Sequence, residues 1–147
     1  MVKQTVINAR LAQALALARH KDAIVLCDGN MPIPEGCNVV DVSLVRGVPT
    51  LLQTLKAVLN DLVAERYQVF ELMPQYNPAM LAAIQEAVPQ LPGGAISQAD
   101  LTEVMRSAKA VVRTGDFGSC CTMVLYSASG MDKYVSQFDC RFDLGRK

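Results

Sequence analysis

The sequence predicts an α/β protein: a single three-layer α/β/α domain with a mixed central sheet, spanning residues 1–147. Three observations lead there. Short, uniformly apolar runs such as Ala23-Ile24-Val25-Leu26-Cys27 read as strands buried on both faces. Longer segments with helical spacing alternate with them, which is the order that layered α/β folds adopt. A chain of 147 residues, 51% apolar and 19% charged, has enough hydrophobic side chains for one compact core and too few charges for a disordered chain.

Asn8 is expected to cap a helix over 9–19, with Leu11, Leu15 and Ala18 on one face. The run at 23–27 is the first strand. Asp28 to Gly36 is dense in proline and glycine and reads as a loop. Val39-Val40-Asp41-Val42 reads as a second short strand. Pro49 and Thr50 open the clearest helix, over 50–64, in which Leu51, Leu55, Val58 and Leu62 keep helical spacing. Tyr67 to Leu72 is strand-like. Asn77 followed by Pro78 combines a cap with a first-position proline for a helix over 78–88, which Pro89 stops. Leu91-Pro92-Gly93-Gly94 reads as an internal loop. Ser97, with Asp100 three residues on, resembles a capping box for a helix reaching Ala108. Lys109 to Thr114 is a strand, residues 115–119 a loop, and Cys120 to Tyr126 another strand. Beyond Gly130, Phe138, Cys140, Phe142 and Leu144 alternate with Asp139, Arg141 and Asp143. Residues 131–147 therefore read as a C-terminal extension, an edge strand or an assembly arm.

Composition excludes several function classes. Fourteen basic and fourteen acidic residues cancel, which removes the attraction that nucleic acid or an anionic membrane surface requires. No apolar run approaches the ~20 residues that span a bilayer. The N-terminus lacks the apolar core of a signal peptide, so a soluble, cytoplasmic protein is expected. There are five cysteines and one histidine, with no CxxC pair and no zinc-like spacing, so neither a metal nor a disulfide framework is expected. Gly-rich nucleotide loops and GxSxG are missing too, and no cofactor is expected.

In open α/β sheets ligands gather at the carboxyl ends of strands. Asp28 follows the first strand, and Arg113 and Asp116 end the strand at 109–114. His20 closes the first helix, and folding of that helix onto the strand is expected to bring His20 and Asp28 to one crevice. His20 is the one side chain whose ordinary pKa suits proton exchange near neutrality. Each residue also has a structural reading. His20 can be a cation at a helix end beside Arg19 and Lys21, Asp28 the turn former of Asp-Gly, Arg113 an ion-pair partner of Asp116, and Ser97 a helix cap. A nucleophilic cysteine (Cys27, Cys120 or Cys121) working with His20 stays open, as does thiol chemistry at Cys120-Cys121.

The stretch His20-Lys21-Asp22 to Pro34 resembles the start of the D-ribose pyranase and L-fucose mutarotase family, where His-x-Asp precedes a strand, an Asp and a Leu-Pro-Ile-Pro-like loop. The resemblance continues through Val40-Asp41-Val42-Ser43-Leu44 and Gly47-Val48-Pro49, and returns at Ala108 to Asp116, like the family's Ala-Val-Ile-Arg-Thr-Gly-Glu. The Ile33-Pro34 loop favours the ribose branch. The resemblance implies a cytoplasmic isomerase that interconverts ring forms of a free monosaccharide without a cofactor. It also implies a cyclic homo-oligomer, decameric or pentamer-based, with sites near subunit boundaries. In that reading His20 is the catalytic acid/base. Asp28, Gln98, Cys120 and Thr122 contact the sugar, and Asp22, Arg113 and Asp116 support them. Several positions depart from the family pattern. Gln98 stands where a second His is usual, and Cys120 and Thr122 replace a Tyr and an Asn. Lys21 and Arg19 replace glycines. Those departures motivate the alternative, a non-catalytic sugar-binding or regulatory member of the same fold.

Overall fold

The structure, a computed structural model, describes residues 6–129. The tail from Phe138 to Leu144, and with it the expected arm at 131–147, lies outside the described residues. Six strands form one sheet in the order β2-β5-β1-β6-β3-β4. They are β1 (Ala23–Cys27), β2 (Val39–Asp41), β3 (Ala64–Phe70), β4 (Gly93–Ile96), β5 (Ala110–Arg113) and β6 (Met123–Ser127). β1 pairs parallel with β5, β5 with β2, and β3 with β4, whereas β6 runs antiparallel between β1 and β3. The mixed sheet is as expected. Because β6 alone is reversed, the other five strands all deliver their carboxyl ends to the same edge.

The two-residue period of the strands sorts the core into two layers. Ile24, Leu26, Ala110, Val112, Met123 and Leu125 face a cluster completed by α1 (Ala9–Leu17), α2 (Leu51–Asp61) and α4 (Pro78–Ala87). Val25, Cys27, Val111, Val124 and Tyr126 face the other cluster, with Leu101 and Met105 of α5 (Gln98–Ser107) and Met31 and Ile33 of the loop after β1. Both faces of β1 are thus covered, which is why its sequence lacks polar alternation.

The helix starts follow their caps. Asn8 Oδ1 accepts from the Leu11 N–H at 3.1 Å. Thr50 and Gln53 form a reciprocal capping box on α2. Asn77 accepts from the Met80 N–H on α4 and Ser97 from the Asp100 N–H on α5.

Several boundaries differ from expectation. α1 stops at Leu17, because Ala18 is extended and the Asp22 carboxylate takes the Arg19 N–H at 2.7 Å, closing a turn instead of another helical turn. α2 stops at Asp61. Leu62 is extended, so the apolar residues beyond it lead into β3, which begins three residues earlier than the Tyr67 the pattern suggested. Gly93 and Gly94, read as loop, pair with Tyr67 and Gln68 as β4. A Cβ on Gly93 would lie 2.5 Å from the Tyr67 ring, so the glycine is what lets this strand close on β3. β6 begins at Met123 and not at Cys120, whose φ of 54° and tight turn to Thr122 hold the preceding residues off the ladder. A single helical turn, α3 (Met73–Tyr76), had no counterpart in the sequence reading.

Candidate active site

The strand directions divide the sequence-predicted residues between two ends of the sheet. Asp28, Arg113, Asp116, Cys120, Thr122 and Gln98 all lie at the carboxyl edge. His20 and Asp22 precede β1 and lie at the amino edge. The five residues of β1, at about 3.3 Å each, hold the two groups roughly 16 Å apart. The expectation of one crevice shared by His20 and Asp28 within a chain is therefore not met. The strand is interposed because the turn after α1 hands the chain to β1 at its buried start, and the chain does not fold back.

At the carboxyl edge, Asp28 is half-buried. Its Oδ1 accepts the Asn30 N–H at 2.9 Å, and the Thr122 hydroxyl donates to Oδ2 at 3.4 Å. Burial pushes the carboxyl above its ordinary pKa, against the hydrogen bonds from Asn30 and Thr122, and nearby Asp116 adds to the rise. The Asp-Gly turn is held from β5. Arg113 donates from Nε and Nη2 to the Gly29 carbonyl at 3.0 and 2.7 Å, and from Nη1 to Asp41 at 3.0 Å. Its expected ion pair with Asp116 is replaced by this one. Asp116 instead accepts the Leu51 N–H at 2.9 Å and the Gly118 N–H at 2.9 Å, tying the loop after β5 to the first turn of α2. Arg113 thus holds the Asp28-Gly29 turn through its side chain, and Asp116 does so through its backbone carbonyl, which accepts the Gly29 N–H at 2.8 Å.

Cys120 sits one turn before Thr122, on a loop that Asn77 Nδ2 anchors through the Ser119 carbonyl at 3.2 Å. Gln98 is exposed at the start of α5, on the same edge but three strand spacings from β1, roughly 14 Å away. Beside Gly29 and Arg113 opens a cavity of about 200 Å³, rimmed by Leu44, Val45 and Phe117. These residues are 78%, 61% and 42% exposed and place apolar surface on the edge that carries the polar cluster.

At the amino edge, His20 Nε2 lies 2.9 Å from Glu65 Oε2. Sequence reasoning missed Glu65, because it fell in the gap between a helix ending at 64 and a strand starting at 67. Asp22, expected as a support, organises the turn: it accepts from the Arg19 N–H and pairs with Lys109 at 3.4 Å. The structural reading of His20 as a helix-end cation fails, since α1 ends three residues before it.

Position 21 carries a further signal. Lys21 has φ of 70°, a left-handed conformation that glycine adopts without cost and a lysine adopts at about 1–2 kcal/mol. Among the described residues, the buried thiols Cys27 and Cys121 are poor nucleophiles. Burial pushes Cys27 up to about 12 and Cys121 well above the ordinary thiol value. Cys27 and Cys120 also lie at the opposite end of β1 from His20. Among the described residues no group of three or more His, Cys, Asp or Glu converges as a metal site.

Residues 1–129 match the model of the RbsD / FucU transport protein family. The chain belongs to that family. A D-ribose pyranase of Actinobacillus pleuropneumoniae serotype 5b is 36% identical over 135 residues, covering 86% of this chain and 97% of the relative. The D-ribose pyranase of Laribacter hongkongensis is 35% identical over 127 residues with the same coverage. Among solved structures, Bacillus subtilis RbsD complexed with D-ribose matches with a TM-score of 0.82 and 26% identity over 87% of this chain and 98% of that one. The fucose mutarotase in complex with L-fucose from Streptococcus pneumoniae shares the fold, at a TM-score of 0.68 and 18% identity over 83% and 96% of the two chains. The RbsD / FucU match ends at residue 129, where the described structure also ends. No helix among the described residues is long and apolar enough to cross a membrane.

Proposed function

We propose that the chain is a sugar ring-form isomerase, a pyranase or mutarotase acting on a free monosaccharide of the ribose or fucose type. The observation that carries this reading is the likeness to D-ribose pyranases over nearly their whole length. Opening a sugar ring requires the anomeric hydroxyl to lose its proton while the ring oxygen gains one. The C–O bond electrons go to the ring oxygen, a carbonyl forms, and reclosure through a hydroxyl reverses the transfers. His20 takes the first proton; water or the resulting imidazolium supplies the second. General acid–base assistance of this kind is worth about 10²–10⁴-fold. Asp28 retains free lone pairs on both oxygens for sugar hydroxyls, beside Thr122 and Cys120. Gln98 contributes an amide from the far side of the same edge.

Because one chain holds His20 and the Asp28 cluster at opposite ends of β1, the complete site is built from two copies, the amino edge of one meeting the carboxyl edge of the next. Such a contact is heterologous, and when its rotation closes it generates a ring. The exposed Leu44, Val45 and Phe117 supply apolar area for that contact. The assembly is a cyclic oligomer, pentamer-based or decameric, working in the cytoplasm.

The replacement of a titratable His by Gln98 and of a phenol by Cys120 favours the second reading, a sugar-binding member without catalysis. Exchange NMR on the anomeric protons of ribose and fucose separates the two. The isomerase accelerates exchange between ring forms, and His20→Ala returns the rate to the uncatalysed value. Saturation transfer to bound sugar without any acceleration would leave only the binding reading.

A further inference from the structure

The bond between His20 and Glu65 depends on an irregularity in the sheet. The pairing of β3 with β6 passes from Ala64 opposite Ser127 to Arg66 opposite Tyr126, leaving Glu65 as an extra residue in a β-bulge. Bulges of this kind re-aim a side chain. The turn that carries His20 is fixed to the same point. Lys21 donates its N–H to the Ser127 carbonyl at 2.8 Å, and the Ser127 N–H donates to the Asp22 carbonyl at 2.9 Å. Ser127 is buried. One residue of β6 therefore registers both the bulge with Glu65 and the turn with His20. The left-handed Lys21, the Arg19–Asp22 turn and the bulge are three departures from regular structure that together bring one carboxylate to one imidazole nitrogen.

Resting on the isomerase reading, we propose that Glu65 is the positioning residue of the acid/base: it accepts the Nε2–H of His20, fixes that tautomer, and leaves Nδ1 as the nitrogen that exchanges protons with the sugar. A neutral imidazole has one N–H and one bare nitrogen, and the hydrogen bond made by one decides the role of the other. The carboxylate also offsets the charge when Nδ1 takes the anomeric proton and the ring becomes an imidazolium. Glu65 itself gains no proton and touches no sugar. Asp28, expected from the sequence to share a crevice with His20, is left free for the substrate.

The chain's single histidine makes the test direct. Long-range ¹H–¹⁵N correlation spectra of the wild type at alkaline pH are expected to show Nε2 protonated and Nδ1 bare, and Glu65→Ala is expected to give an averaged mixture. Ring-form exchange rates should fall about 10–100-fold in kcat in Glu65→Ala with KM little changed. Glu65→Gln, whose amide oxygen still accepts the Nε2–H, should recover most of the loss. Full activity in Glu65→Ala with an unchanged tautomer, while His20→Ala is inactive, overturns the role of Glu65 and leaves the isomerase standing. Full activity in both variants overturns the isomerase assignment of His20 itself.

Discussion

Asp28 costs the fold stability by carrying a half-buried charge. Its native carboxyl holds a proton more tightly than the unfolded chain does, because burial disfavours the anion. Between the ordinary carboxylate pKa and the raised native value the folded state binds more protons, so this residue's contribution to stability falls as pH rises through that window. Asp28→Asn keeps one oxygen to accept the Asn30 N–H, lets Nδ2 donate to the Thr122 hydroxyl in place of the acceptor it removes, and eliminates the charge. It is expected to melt above the wild type at pH 7, with the difference vanishing as pH drops below about 4. Sugar binding should weaken in the same variant. Equal melting temperatures at pH 7 would show that burial of the charge costs nothing. At this scale His20 and Asp28 were legible as candidates, since a lone histidine and an Asp ending a buried strand stand out. Glu65 was not, because a bulge has no composition of its own.

The elements around the carboxyl edge are locked by backbone approaches more than by side chains. Gly115 follows β5, and a Cβ there would collide with the Val48 carbonyl and lie 2.7 Å from the Val45 carbonyl oxygen. Its N–H donates to the Pro49 carbonyl at 2.9 Å and its carbonyl accepts the Gly47 N–H at 2.6 Å. The loop at 44–49 therefore rests directly on the chain that carries Asp116. Gly115→Ala is expected to destabilise the protein by about 1–3 kcal/mol, read as a lower denaturant midpoint at unchanged slope. Stability within a few tenths of a kcal/mol of the wild type would mean that the loop shifts freely. The caps at Asn8, Thr50, Asn77 and Ser97 were legible from residue type and spacing, and so was the buried β1. β4 was not, because Gly-Gly signals a turn unless the Tyr67 ring it must pass over is already in place.

For the whole molecule, the sheet order explains why His20 and Asp28 stand apart within one chain. Five strands agree in direction and only β6 is reversed, so residues before β1 and residues after it are held at opposite edges by the length of the strand. A sequence motif such as His-x-Asp followed by Asp28 looks local, yet β1 holds its members at opposite edges, and the proposed site joins them only when copies pack edge to edge. The order of motifs along the chain was enough to anticipate the mixed α/β sheet and the family. Which atoms would face one another across two copies depends on how their folded surfaces pack, and linear spacing does not encode it. The most direct measurement is complementation between two inactive variants. His20→Ala and Asp28→Ala are each expected to lose ring-form exchange activity. When the two are unfolded together and refolded as a one-to-one mixture, about a quarter of the interfaces join an intact His20 edge to an intact Asp28 edge. Recovery of up to that share of wild-type activity is the predicted result. A mixture as inactive as its parents, in rings shown by mass to contain both variants, would contradict a site shared between neighbouring copies.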